Sequence, residues 1–100
     1  MKKPFEYKTL KVEPQPNPAL ALLFKVYLKN EKDPKYYIFA ELDLDKSSEF
    51  KNYVLKVVKK DANMGFVLEE VFRAESQTML LEYIYNSEGG ENEVLEKEES

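Results

Sequence analysis

A mainly β domain, a small antiparallel barrel or sandwich of five to six strands with one helix near residues 47–60, is the fold class this sequence predicts. Three observations predict it. Tyr36, Ile38, Ala40, Leu42 and Leu44 alternate with Tyr37, Phe39, Glu41 and Asp43, the period-2 pattern of a half-buried strand. Hydrophobic residues are 43% of the 100 residues, enough for one core at a length that fits one domain. Turn signals cut the chain into six short segments.

The first segment runs from Phe5 to Glu13, where Phe5, Tyr7 and Thr9 alternate with Glu6 and Lys8. Pro14-Gln15-Pro16-Asn17-Pro18 follows. Three prolines remove three backbone donors, which predicts a loop. The second segment, Leu20 to Lys29, carries two periods at once. Leu22, Phe24, Val26 and Leu28 alternate with Lys25, Tyr27 and Lys29, while Leu20, Leu23, Phe24, Tyr27 and Leu28 also fit a helical stripe. Asn17 as N-cap with Pro18 at the first helical position suits that helix. The strand is preferred, because the turn Asn30-Glu31-Lys32-Asp33-Pro34 leads into the third segment and makes a hairpin of compact loop length. That third segment, Lys35 to Leu44, is the clearest strand.

The fourth segment, Ser47 to Lys60, reads as a helix. Phe50, Tyr53, Val54, Val57 and Val58 stand at i, i+3, i+4, i+7 and i+8. Ser47 or Ser48 caps the start, and Lys56, Lys59 and Lys60 suit the negative end. Three valines argue for a strand instead. The fifth and sixth segments, Phe66 to Arg73 and Thr78 to Tyr85, tolerate either period and read as a final hairpin across Ala74-Glu75-Ser76-Gln77.

The resulting order is three strands, a helix and two strands. Small OB-type barrels share that element order. If the fourth segment is a strand, the order becomes a six-stranded meander, closed or sandwiched on itself.

The charge is polarised. Residues 1–60 hold 13 lysines against 8 acids, and residues 61–100 hold Arg73 and Lys97 against 11 acids. From Ser87 to Ser100 there are six glutamates, one lysine and two aliphatic residues. So little apolar surface cannot repay ordering, which predicts a disordered acidic tail over 88–100 after a domain over 1–87. Gly89-Gly90 reads as a hinge. The dominance of Lys and Glu is a compositional sign of a thermophile, and equally of codon bias.

Composition excludes much chemistry. With no Cys and no His, disulfides, thiolate nucleophiles, the commonest general base and the commonest metal ligand are all absent. No phosphate-binding glycine loop or nucleophile elbow occurs. The carboxylate pairs Asp43/Asp45 and Glu69/Glu70 read as solvated surface, and the first pair with Glu49 is too sparse for a calcium loop. No cofactor and no metal are expected. No stretch approaches the roughly 20 apolar residues of a membrane span. The first residues lack the apolar run of a signal peptide. The expected setting is the cytoplasm, or a virus that replicates there.

One constellation stands out. Lys25, Tyr27 and Lys29 share a face of the second strand, and Lys35, Tyr37 and Phe39 share a face of the third. Brought together in the hairpin, they make a basic, aromatic platform of the kind single-stranded DNA or RNA binds. The same pattern also describes an ordinary half-buried sheet whose lysines snorkel to solvent. Glu41 on that face and the near absence of Arg favour the plainer description. The expected function is therefore a non-catalytic module that binds another protein, as adaptor, accessory subunit or inhibitor. The alternative is a single-stranded nucleic-acid binder whose acidic tail is autoinhibitory. Homo-oligomerisation is left open, since a chain this short gains from extra burial.

Overall fold

The computed structural model describes residues 3–17, 21–43, 45 and 50–90. Six strands form a single antiparallel sheet in sequence order: β1 Phe5–Tyr7, β2 Leu10–Asn17, β3 Leu22–Tyr27, β4 Tyr36–Leu42, β5 Phe50–Asp61 and β6 Gly65–Ala74. One helix, α1 Gln77–Ser87, ends the described chain and covers one face. The mainly β class is therefore observed, as an open six-stranded meander. β1 and β6 are its two edges and do not pair, so the sheet is neither a closed barrel nor a sandwich.

Four local expectations are corrected. The helix expected near 47–60 is absent over the described part, where residues 50–61 form β5. As an inner strand, β5 has neighbours on both edges and apolar residues on both faces. Leu55 pairs with Ile38 on the helix side, and Val54 pairs with Phe39 on the other. Apolar side chains on both faces erase the alternation and imitate a helical stripe, but β-branched Val54, Val57 and Val58 pack well on a pleated surface. The final hairpin is corrected too. Thr78 to Tyr85 lies within α1, with Leu80, Leu81 and Ile84 buried at helical spacing. Ser76 caps it, its Oγ accepting from Met79 N at 3.2 Å. The OB-type order falls with these two segments, because all six strands precede the helix.

The described part of the proline segment, Pro14 to Asn17, belongs to β2, not to a loop, and Pro18 lies outside the described residues. β1 pairs with β2 only from Leu10 to Val12. Beyond Val12 that side of β2 is an edge, where a residue without an N–H is tolerated. Phe5 to Glu13 is two strands, because the chain turns at Lys8 and Thr9, with Lys8 at φ 56°. The expected acidic tail lies outside the described residues after Gly90. Glu88, placed in that tail from the sequence, is half-buried and accepts hydrogen bonds from Tyr36 Oη and Lys35 Nζ.

The core lies between α1 and the face of the sheet that it covers. Leu10, Val12, Phe24, Val26, Tyr36, Ile38 and Leu55 supply the sheet side, and Leu80, Leu81 and Ile84 the helix side. Each fully buried aliphatic residue stabilises by roughly 1.5–3 kcal/mol. Two adjacent residues in the middle of the helix tie it to opposite edges of the sheet. Tyr83 stacks on Phe72 of β6 at 4.2 Å between ring centres. Glu82 accepts from Tyr7 Oη and from Lys8 Nζ at 3.0 Å on the far edge. Among the described residues no polar or charged residue is buried.

Candidate functional site

With α1 on one side, the opposite face of the sheet carries no described element. Its residues follow from strand alternation. In β3 and β4, Phe24, Val26, Tyr36, Ile38 and Ala40 go to the core, so Lys25, Tyr27, Tyr37 and Phe39 go to the open face, all half-buried. The register then builds rows across the strands. One row reads Glu13, Lys25, Tyr37, Lys56 and Glu70 from β2 to β6. The next reads Leu22, Phe39, Val54 and Arg73. Lys11 stands opposite Tyr27.

Four of the six residues singled out from the sequence thus come together: Lys25, Tyr27, Tyr37 and Phe39. The other two do not join them. Lys29 sits exposed in the turn after β3. Lys35 precedes β4, and its Nζ lies 3.0 Å from the Glu88 carboxylate near the end of α1. Cations of the face were missed as well, Lys11, Lys56 and Arg73 among them. Lys11 Nζ lies 5.5 Å from the centre of the Tyr27 ring, and Lys56 Nζ lies 4.8 Å from that of Phe39. Both distances suit a cation–π contact. Lys11 was hidden because the turn at Lys8 reverses which residues face outward. Lys56 was hidden because its segment read as a helix. The signal that could have found Lys56 is its place between Val54 and Val58 in a period-2 pattern.

Electrostatically the face is mixed. Lys25 has Glu13 directly opposite, and Lys56 has Glu70. Arg73 is bound by two carboxylates, Glu41 at 2.9 Å and Glu70 at 2.8 Å. Hydrogen bonding from Asn52, and then the Arg73 charge, hold the Glu41 carboxyl below its ordinary range. The Arg73 guanidinium does the same for Glu70. Burial, then the Glu13 carboxylate, push the Tyr27 phenol up.

The carboxylate pairs have structural partners. Asp43 Oδ1 accepts from Asp45 N at 3.0 Å. Glu69 and Glu70, adjacent on a strand, point to opposite faces, toward Lys59 at 2.9 Å and Arg73 respectively. Among the described residues no cluster of carboxylates has the arrangement of a metal site, and no helix is long and apolar enough to cross a membrane. No family model, curated protein or solved structure matches the chain.

Proposed function

We propose that this is a cytoplasmic, non-catalytic module that binds another protein through the open face of its sheet. One observation carries the reading. The face combines half-buried Tyr27, Tyr37 and Phe39 with cations that are matched by carboxylates, Lys25 with Glu13, Lys56 with Glu70 and Arg73 with Glu41. Aromatic rings supply contact area at low entropic cost, and a mixed-charge rim discriminates among protein partners. A polyanion needs unmatched lysines along a groove, because displaced counterions drive its binding. On this face Lys11 too has a carboxylate in its row, Glu6 of β1, whereas Lys60 at the far end of β5 pairs with Phe66.

A second reading, single-stranded nucleic acid, draws on the pairs Lys11–Tyr27 and Lys56–Phe39. One experiment separates the two. The full chain is used as bait in lysate with and without nuclease, beside a Lys25→Glu/Lys56→Glu variant, and oligonucleotide is titrated at low salt. Protein binding predicts a partner retained after nuclease, weakened by the charge reversals, with no oligonucleotide bound. Oligonucleotide binding that falls steeply with salt and is lost in Tyr37→Ala reverses the assignment.

A further inference from the structure

We propose that the chain pairs with a second copy of itself through β6, antiparallel, about a two-fold axis that passes through Val67 normal to the sheet. Among the described residues β6 is the one long open edge. At the other edge β1 is three residues long, and β2 behind it contains Pro14 and Pro16. Short strands and prolines blunt an edge. β6 contains neither proline nor lysine over its ten residues. Its hairpin with β5 also outruns the rest of the sheet. The last β4–β5 pair is Tyr36 with Val57, whereas β5–β6 pairing continues to Asp61 with Gly65. On the open face of that overhang Val58, Phe66 and Leu68 are 42%, 72% and 44% exposed.

The register of these residues is self-complementary, which is what selects a second copy over a foreign strand. A two-fold normal to the sheet keeps the faces of both copies continuous, so each residue meets one of its own face. Centred on Val67, it sets Phe66 opposite Leu68 of the other copy, twice. Lys60 and Val58 are the cross-strand neighbours of Phe66 and Leu68. The open face then carries one apolar cluster of Val58, Phe66 and Leu68 from both copies, ended by Lys60 on each side. Glu69 keeps its Lys59 partner and meets only Gly65 of the second copy.

The neighbouring registers are worse. Centred on Leu68, Phe66 meets Glu70. Centred on Glu69 or Glu70, like charges face each other directly, which is destabilising. Centred on Phe66, the overlap within β6 shrinks to three pairs. The bulge that leaves Val71 without a partner on β5 interrupts the ladder and confines the pairing to the Gly65 end.

The test is made on the full chain by sedimentation and hydrogen exchange over a concentration series. The wild-type mass is expected to double as concentration rises, and the amides of residues 65–69 to gain protection with it. Phe66→Lys alone and Leu68→Glu alone are expected to abolish the dimer while keeping the folded spectrum. Combined in one chain they set a lysine opposite a glutamate in both cross-pairs, and the dimer returns. Should a variant lose its folded spectrum, the concentration dependence of the wild-type amides decides alone. A wild-type chain that stays monomeric overturns the proposal. So does a dimer indifferent to the single substitutions, or a double variant as monomeric as either.

Discussion

Ile84→Ala tests whether the helix lid is what completes the core. Ile84 is fully buried on α1, and Met79 on the same helix is 54% exposed. The substitution removes three carbons, a transfer loss of about 2.4 kcal/mol at ~0.8 per buried methylene. A partly collapsed cavity adds to this, for a total within the roughly 2–5 kcal/mol seen for such truncations. Against a stability of about 5–15 kcal/mol that is a large share. For a domain of this size each kcal/mol moves the melting midpoint by ~4–8 °C. A drop above about 10 °C is expected for Ile84→Ala, whereas Met79→Ala should stay within about 0.5 kcal/mol of wild type. Urea unfolding followed by circular dichroism reads both. The strand alternation of Met79, Leu81, Tyr83 and Tyr85 makes the opposite prediction, with Met79 on the same face as buried Leu81. Equal losses for Met79→Ala and Leu81→Ala, with Ile84→Ala silent, would refute the helix and everything built on its buried face.

Three further outcomes are expected. Ser76→Ala removes the acceptor for Met79 N and should cost about 1 kcal/mol of stability in the same urea assay. Gly65, at φ 81° in the β5–β6 turn with open space where a Cβ would stand, should lose roughly 1–2 kcal/mol as Gly65→Ala, from the backbone alone, again read by urea unfolding. Acid should destabilise the fold through Glu82 and Glu88. Hydrogen bonds from Tyr7 and then Lys8 hold the Glu82 carboxyl below its ordinary 4.5. For Glu88, burial pushes upward, but the bonds from Tyr36 and Lys35 prevail and the carboxyl also ends below 4.5. A folded pKa that is lowered contributes stability that is complete above the unfolded value and is lost as pH falls through the folded one. Thermal midpoints should therefore decline below about pH 4.5, and less steeply in Glu82→Gln/Glu88→Gln, which has less to lose.

What the sequence disclosed depended on how many faces of each segment are buried. β4 was legible because Tyr36, Ile38 and Ala40 are buried while the residues between them are not. The β3–β4 hairpin followed from it, and with it the grouping of Lys25, Tyr27, Tyr37 and Phe39. β5 was not legible, because Val54 on the open face is buried, as Leu55 is on the core face. α1 was misread because Tyr83, Ile84 and Tyr85 favour strands, and only the Ser76 cap and the spacing of Leu80, Leu81 and Ile84 argued otherwise. β2 was half-read, because proline forbids a ladder only on the side that has one. Lys35 left the site for a reason no local pattern contains. Its partner, Glu88, lies 53 residues away in sequence.

The unbroken neighbour-to-neighbour order of the strands also has a kinetic meaning. Every strand pair joins segments adjacent in the chain, so the sheet can grow hairpin by hairpin with short loops to close. Such a β topology has a low contact order and should fold fast for its class. The exception is the helix, whose bonds to Tyr7 and Lys8 close loops of 75 and 74 residues. Those contacts bring the largest closure entropy and should form last. Substitutions such as Ile84→Ala should therefore speed unfolding while leaving the folding rate nearly unchanged, and the core that α1 seals acts as the latch on an already assembled sheet.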